Sequence, residues 1–484
     1  MTATPPPEPL FDTTPAPPGV APPDPAIYDA GPRAMRQRSV NFAARRVAEM
    51  MFVTGLDRAA AERHMRWRAA AIPAGLAARP LPDAGLAAAL ASARADGRVT
   101  VKTDAAERGV TVRWSDDDFG APVIGRAIAR AGYGTILLGE AAAPGFDPLP
   151  IARAPAASGR DWPLGDAVAP PAPNPALDGA ADALFASAPG LYGVLAARAD
   201  RVIFERYSGF GAPDRATPSW SMTKAITATL IGRVIHEGWL GSVHDPAPAP
   251  LWADPRAIQR RVTLDHLLRM RAGLAFPVLL ADGTARLGFE NSLVYQDAAD
   301  AFAAAQRAIV ATEPGAVFRY VNSGVNVLGA VLRARIEARG LPYPAALYAL
   351  LADRIGMTSF QHSADIAGNM IASGAGFATL RDYAKLGVLY MNDGVWAGER
   401  LLPEGWVEYA LTPTHTGTSY AACFRTNADG LFPMLPRSVA WASGASDQRI
   451  FILREAGLVV AVANETDHPL DLAALGRFVA ASAA

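Results

Sequence analysis

The order of strand-like and helix-like segments along the chain constrains its fold more than any other feature of the sequence. Two apolar runs, at 190–199 and 201–210, meet at Asp200 in the pattern of a β-hairpin. Helix-rich sequence fills about 221–390, and strand-like segments then return as SYAACFRTN, SVAWASG, QRIFILRE and GLVVAVANE. Strands at both ends with helices between them predict an α/β (α+β) fold. In this fold, strands from the two distant ends of the region form one antiparallel sheet, which is flanked by helices. A helical insertion is predicted at about 245–370.

Two proline-rich stretches divide the chain before this region. Residues 1–32 contain 11 of the 40 prolines, and we predict an extended arm over 1–39. A small accessory α/β module is predicted over 40–160, in which GRAIARAGYGTILLG (125–139) has the pattern of a helix that leads into a strand. The second proline-rich stretch, at 157–179, has the composition of a linker. It leads into the main domain, which is predicted over 161–484. Whether the module joins two chains in a homodimer or covers the mouth of a site stays open.

The composition excludes several kinds of partner and cofactor. The formal net charge is −1, so the chain lacks the positive excess that neutralises nucleic-acid phosphates. A single cysteine, Cys423, rules out an intramolecular disulfide framework, and the histidines show no metal-ligand spacing. No apolar run reaches the roughly 18 residues of a membrane span, and the N-terminus shows no secretory signal pattern. We therefore expect a cytoplasmic protein with no nucleic-acid or membrane partner and no metal, nucleotide or flavin cofactor.

Lysine is rare in this chain, and one lysine stands beside a serine. Only Lys102, Lys224 and Lys385 are lysines, and the other 42 of the 45 basic residues are arginine. Ser221 and Lys224 open a segment with apolar residues at helical spacing, so positions i and i+3 share a face. A lysine whose pKa is lowered by burial can take the serine proton and create a nucleophile. The alternative, equally open, is that Ser221 only caps the helix and Lys224 is solvated.

Two further motifs follow at long intervals. Tyr320 and Asn322 lie on a short connection between a Pro-Gly turn and the next predicted helix. There a phenol can pass a proton to a leaving group and an amide can orient a carbonyl, although Y-x-N by itself is more often structural. The other motif is WASGA (441–445), in which Gly444 indicates either a close backbone approach or an ordinary bulge or turn.

Together the three motifs resemble the serine β-lactamase/penicillin-binding superfamily, in its class C and family VIII esterase branch. The phrases RVTLDHLLRMRAGLAF, EPGAVFRYVN and ATLRDYAKLGVLYMNDGVWAGERLLPEGWV are also similar to segments of that branch. A closer similarity is to the 6-aminohexanoate-dimer (nylon oligomer) hydrolases and related enzymes. These share the W-S-M-T-K context, a W-P-x-G-D element at 162–166 and a third motif of the form A-x-G-x-x-x-Q. The resemblance covers about 160–484.

The resemblance implies a cofactor-free serine hydrolase domain over 161–484 that forms an acyl-enzyme on a small amide or ester. It implies that Ser221 is the nucleophile, that Lys224 is its base and that Tyr320 protonates the leaving group. Substrate-binding and oxyanion roles are expected for Asn322, Ser443, Gly444, Ala445 and Trp441. In the helical insertion, Tyr295 and Phe289 are candidates for a substrate lid, with a place in the core as the alternative.

The chain departs from the lactamase pattern at the third motif. Lactamases begin this motif with a cation or donor, but this chain has Ala442, so efficient β-lactam hydrolysis is not expected. The leading prediction is hydrolysis of small linear amides of the nylon-oligomer type. The alternatives are a family VIII carboxylesterase on short-chain esters and a non-hydrolytic penicillin-binding-like sensor. Of the other two lysines, Lys385 is expected to pack and Lys102 to be a solvated charge on a strand.

Overall fold

The computed structural model describes most of the chain, with gaps. The described residues are 28–29, 31–63, 92–115, 120–153, 159–254, 257–279, 283, 285–288, 296–297, 299–414, 419–464 and 470–484. The candidate lid residues Phe289 and Tyr295 lie outside the described residues. Within the described part, no helix is both long and apolar enough to cross a bilayer.

The first part of the chain is a helix packed on a four-stranded antiparallel sheet. Its elements are β1 (Tyr28–Asp29), α1 (Pro32–Ala48), α2 (Arg58–Arg63), β2 (Val99–Asp104), β3 (Gly109–Trp114), β4 (Val123–Arg130) and β5 (Gly134–Gly139). The sheet order is β2-β3-β4-β5, and α1, which continues as a π-helical turn, lies across β4. The predicted arm over 1–39 is too long, because α1 begins at Pro32. A proline fits the first helical turn, where its missing N–H has no helical acceptor.

The prediction of a helix at the start of 125–139 is wrong. This segment forms most of β4 and all of β5, which pair with each other in antiparallel register. Along β4, buried and half-buried residues alternate strictly. A period of two is typical of a strand that packs one face against a helix, here α1. The alternation becomes clear only when the whole of β4 is considered.

The rest of the chain is built on a six-stranded antiparallel sheet. In chain order its elements are α3 (Pro175–Ser187), β6 (Leu191–Ala197), β7 (Val202–Tyr207), β8 (Thr217–Pro218), α4 (Thr223–His236), α5 (Leu264–Leu268), β9 (Leu274–Leu279), β10 (Ala285–Gly288), α6 (Ala301–Gln306), β11 (Ile309–Val310), α7 (Asn322–Glu337), α8 (Tyr343–Leu347), β12 (Gln361–His362), β13 (Gly376–Ala378), α9 (Leu380–Met391), β14 (Val395–Trp396), β15 (Glu399–Arg400), α10 (Trp406–Leu411), β16 (Arg425–Thr426), β17 (Ala440–Ser443), β18 (Arg449–Leu453), β19 (Leu458–Asn464) and α11 (Leu472–Ala483). The sheet order is β16-β17-β18-β19-β6-β7. The hairpin β6–β7 therefore pairs with strands from the far end of the chain, and the predicted fold class is confirmed.

Helices cover both faces of this sheet. On one face α3 and α11 enclose an apolar core that includes Phe204 and Phe478. On the other face α9 packs on the central strands, and α4 and α7 extend a second, larger core beyond it. Consecutive residues of a strand point to opposite faces of the sheet. Trp441 therefore lies in the core under α3 and α11, and Ala442 lies in the larger core on the other face.

The predicted helical insertion at 245–370 contains α5 to α8 and also a small sheet. In this sheet β9 pairs with β10 and β11 in antiparallel register. β1 adds to β9 as a parallel partner, so the chain just before α1 is joined to this region.

The N-terminal helix and sheet share a core with the main part of the chain. Ala216 and Phe377 lie in the same apolar cluster as Val40 of α1. Next to this cluster the Thr135 N–H donates to Ser363 Oγ at 3.1 Å, and the two hydroxyl groups are 3.0 Å apart. These buried contacts tie β5 to the loop that precedes β13.

Candidate active site

Ser221 and Lys224 lie in adjacent turns at the start of α4. Ser221 is in a short 3-10 turn (Trp220–Met222), and Lys224 is in the first turn of the α-helix. Lys224 Nζ donates to Ser221 Oγ at 2.8 Å and to the Ser373 carbonyl at 2.6 Å. Met222 holds the N-cap position and makes no side-chain cap. With Lys224 only 1% exposed, the structure favours the serine–lysine pair over the capping and solvation alternative.

The turn that carries Ser221 is bonded tightly to β13. Trp220 has φ of +46°, a left-handed backbone that is unusual for a bulky residue. The Ser219 N–H and hydroxyl both donate to the Gly376 carbonyl, at 2.8 and 2.9 Å. Ser219 Oγ also lies 2.6 Å from Thr223 Oγ1. Backbone of this kind persists only where its surroundings hold it, so these bonds fix the direction of Ser221.

An arginine of α1 covers the same turn. Arg46 Cζ lies 4.5 Å from the ring centre of Trp220. Arg46 and Arg45 each bind Glu49 at 2.8 Å. Burial by itself would raise the pKa of Glu49, but the two guanidinium groups outweigh it and hold this pKa below its usual value. The carboxylate therefore stays ionised and holds Arg46 against the indole ring.

Tyr320 lies beside both members of the pair. Lys224 Nζ is 5.2 Å from the centre of the tyrosine ring, and the phenol hydrogen-bonds to Ser221. Burial raises the pKa of Tyr320, and the bond to Ser221 and the charge of Arg425 offset only part of this rise. The phenol is therefore protonated at neutral pH and can donate a proton.

The start of α7 and the segment before β13 complete this side of the site. Asn322 is the first residue of α7 and is 2% exposed. One turn later, Asn326 Oδ1 accepts the Ser373 N–H at 3.2 Å, and Thr227 Oγ1 donates to the Ala372 carbonyl at 2.7 Å. These bonds position the carbonyl that holds Lys224. The sequence reasoning missed Ser373, because it acts through its main chain and no side-chain motif marks it.

The third motif approaches the nucleophile from the end of β17. A Cβ atom on Gly444 would lie 2.2 Å from the Ser219 carbonyl oxygen, so only glycine permits this close approach. Ser443, Gly444 and Ala445 are therefore brought next to the Ser221 turn. Directly after them, Ser446 has φ of +59°, which bends the chain away into β18.

Trp441, expected in the substrate-binding set, lies elsewhere. Its ring centre is 5.4 Å from that of Phe432 and 5.6 Å from that of Phe451, and the side chain is fully buried in the core under α3 and α11. The structure gives Trp441 a packing role and does not bring it to the Ser–Lys pair.

The other two lysines lie in different surroundings. Lys385 is buried on α9, where it pairs with Asp382 at 2.9 Å and donates to the Gly356 carbonyl at 2.5 Å. Lys102 is exposed on β2.

A buried histidine braces the segment before β13 and makes stability depend on pH. His362 Nε2 lies 2.8 Å from the Ile371 carbonyl oxygen. Burial lowers the pKa of His362 to about 4, although hydrogen bonds to backbone groups offset part of the effect. The unfolded chain takes up this proton near pH 6.5, so the stabilisation is present above pH 6.5 and is lost as the pH falls toward 4.

We expect His362 to lower the free energy of unfolding by about 2 kcal/mol between pH 7 and pH 5. Urea unfolding of the wild type and of His362→Gln at both pH values measures this difference. The glutamine amide can donate to the same carbonyl but does not titrate, so the variant should show a smaller loss. An equal loss in both proteins would refute the assignment.

The fold and the Ser–Lys–Tyr cluster define a class of enzymes, the hydrolases that attack through an activated serine. A profile of the β-lactamase family matches residues 177–484. The chain belongs to this family, whose members are serine hydrolases. A search of curated proteins found none that matches the sequence.

Several solved structures are similar to the chain at low sequence identity. A penicillin-binding protein homologue from Caulobacter crescentus is 19% identical with a TM-score of 0.50, over 65% of this chain and 98% of the other. A provisionally assigned 6-aminohexanoate-dimer hydrolase from Bacillus anthracis is 17% identical with a TM-score of 0.49, over 60% and 77%. A D-stereospecific amidohydrolase from Streptomyces is 16% identical with a TM-score of 0.46, over 64% and 98%.

Proposed function

We propose that this protein hydrolyses small linear amides, of the type found in 6-aminohexanoate (nylon) oligomers, through an acyl-enzyme on Ser221. The observation that carries the proposal is the 2.8 Å contact between the buried Lys224 amine and Ser221 Oγ, with a protonated phenol beside it. Nucleophile, base and acid are then within reach of one substrate carbonyl.

In acylation, the neutral Lys224 amine takes the Ser221 proton as Oγ attacks the carbonyl carbon. The bond from Nζ to the Ser373 carbonyl keeps the amine aimed at the serine. Ser221 and Ala445 both lie in 3-10 turns, whose first N–H groups have no acceptor within the turn. These two N–H groups are the proposed donors to the oxyanion, and such donors supply a large part of the rate of acyl transfer.

In the next step, Tyr320 gives its proton to the leaving nitrogen, and the C–N bond breaks to release the amine. Water then attacks the acyl-enzyme and gives up a proton to the tyrosine, and Ser221 Oγ leaves with a proton from Lys224. An amine departs readily only once it is protonated. The protonated state of Tyr320 therefore supports amide cleavage in particular.

A family VIII-type carboxylesterase is the second candidate, because the Ser–Lys pair alone can acylate on an ester. An alcohol depends less than an amine on protonation when it leaves. The response of the two reactions to loss of the phenol separates the candidates.

Tyr320→Phe is expected to lower kcat/KM on a linear amide by about 100-fold or more, and on the ester with the same acyl group by clearly less. N-butanoyl-6-aminohexanoate and its 6-hydroxyhexanoate ester counterpart form a suitable pair. Tyr207→Phe, on the edge strand β7, is the matched control.

Equal losses on both substrates, with a much faster ester reaction in the wild type, would favour the esterase. A stable adduct on Ser221 that never releases product would instead favour the non-hydrolytic sensor.

A further inference from the structure

A buried carboxylate of the N-terminal helix and sheet lies where two series of contacts meet. Glu49, in the π-helical turn that continues α1, is 2% exposed. Its Oε1 atom accepts from Arg45 Nε and its Oε2 atom from Arg46, each at 2.8 Å. The Thr135 hydroxyl, on β5, lies 3.4 Å from Oε1. One ionised group therefore holds donors that lead in two directions.

The first series of contacts leads to the turn that carries Ser221. Glu49 binds Arg46, whose Cζ atom lies over the ring of Trp220, the residue before Ser221. A cation is attracted to the face of an indole ring. The left-handed backbone of Trp220 persists only where its surroundings constrain it, and Arg46 supplies one of these constraints from α1.

The second series leads to the carbonyl that binds Lys224. The N–H and the hydroxyl of Thr135 contact Ser363 Oγ, at 3.1 and 3.0 Å. The Ser363 carbonyl and N–H then bond to the residues two before and two after Ser373, at 3.0 and 2.9 Å. Between these two bonds, the Ser373 carbonyl accepts from Lys224 Nζ at 2.6 Å. The placement of this carbonyl thus depends on β5.

Stability alone does not account for the buried charges of Arg45, Arg46 and Glu49. Apolar side chains of similar volume commonly replace a buried ion pair without loss of stability. A carboxylate differs from them in that it fixes the direction of each donor bound to it. Arg36, earlier on α1, lies 5.1 Å from the ring centre of Trp114 without reaching beyond the N-terminal helix and sheet. The contact of Arg46 differs because it reaches the turn of the proposed nucleophile.

We infer that Glu49 is a positioning residue for the proposed hydrolysis. Through Arg46 it sets the direction of Ser221. Through Thr135 it holds the carbonyl that binds Lys224. The sequence left open whether this part of the chain joins two chains or covers the mouth of a site, and the inference gives it a role in aligning the nucleophile with its base. It rests on the proposed function, in which Ser221 is the nucleophile.

Two neutral replacements test the two series separately. Arg46→Met removes the cation over Trp220 and leaves Glu49 paired with Arg45, and Thr135→Val removes only the hydroxyl. Well below the melting temperature, kcat and KM are measured on N-butanoyl-6-aminohexanoate, together with the rate of fluorophosphonate adduct formation. Arg46→Met should lower kcat and the adduct rate by about 10- to 100-fold, because small misplacements of reacting groups have effects of this size. KM should stay close to the wild-type value.

The other variants calibrate this result. Thr135→Val should cause a smaller fall in kcat, since the Thr135 N–H still binds Ser363. Arg46→Lys keeps a cation and should recover part of the rate. Arg36→Met, which removes the other arginine–tryptophan contact of α1, is the matched control and should react as the wild type does.

A direct change of the carboxylate completes the test. Glu49→Gln should lower kcat at least as much as Arg46→Met does, because both series of contacts lose their ionised acceptor. If the uncompensated guanidinium groups prevent this variant from folding, Arg46→Met decides.

The outcomes separate this inference from the proposed function. Wild-type values of kcat and adduct rate in Arg46→Met would overturn the role of Glu49, while the adduct on Ser221 keeps the hydrolase function standing. A change confined to KM or to the melting temperature would overturn it as well, because a misaligned nucleophile must react more slowly. A wild type that shows neither turnover nor an adduct would overturn the proposed function and the inference with it.

Discussion

Replacing Ser221 with alanine is expected to abolish hydrolysis and leave the fold intact. The serine hydroxyl contacts Lys224 and Tyr320 and caps no helix, so its loss removes the nucleophile but no structural bond of the backbone. Loss of a catalytic serine lowers kcat by a factor on the order of 10⁵ to 10⁶. Amide turnover measures the loss of hydrolysis, and the melting temperature measures the stability of the fold. The intact mass after treatment with a fluorophosphonate shows whether an activated serine is present.

The wild type should gain a single adduct, and Ser221→Ala should gain none. Ser187→Ala, at the exposed end of α3, is the matched control and should react as the wild type does. Retained turnover in Ser221→Ala would place the nucleophile elsewhere, and a large drop in its melting temperature would show that Ser221 serves the fold.

Changing Lys224 is expected to have the second largest effect, and two replacements separate its hydrogen bonding from its basicity. Lys224→Met removes both and leaves the Ser373 carbonyl without its donor, which costs about 1–3 kcal/mol of stability. Lys224→Arg keeps a hydrogen-bond donor but carries a permanent positive charge and cannot accept a proton. Both variants should slow adduct formation and amide turnover by about 10³-fold or more, within the range of a lost general base.

Lys102→Met, on the exposed face of β2, is the control for the loss of a lysine. Rapid adduct formation by Lys224→Arg would contradict the proposed role, because a fixed positive charge would then suffice.

The parts of the site that could be predicted are those set by short-range geometry. Ser221 and Lys224 are three residues apart at the start of a helix, and that spacing alone brings their side chains together. At Gly444 the sequence left open a close backbone approach and an ordinary bulge or turn, and the structure shows the close approach, because only glycine lacks the atom that would collide with the Ser219 carbonyl.

The parts that could not be predicted depend on pairing between distant segments. Arg425 is one of 42 arginines, and the pairing of β16 with β17 places it beside Tyr320. Trp441 and Ala442 are neighbours in the third motif, but they lie on opposite faces of the sheet and so belong to different cores. The start of 125–139 has a pattern that predicts a helix, but pairing with both neighbouring strands of the sheet makes it a strand.

The contact between α1 and the turn that carries Ser221 lies outside the region that the family profile matches. The family profile begins at residue 177, yet Arg46 lies over Trp220, and Phe377 completes a core with α1. A chain that begins at residue 177 would retain every residue of the proposed chemistry. It would lack Arg46, so Trp220, next to Ser221, would lose the guanidinium that covers its ring. We therefore expect that recombination between relatives keeps the proposed catalytic turn in its present geometry only when α1 is transferred with it.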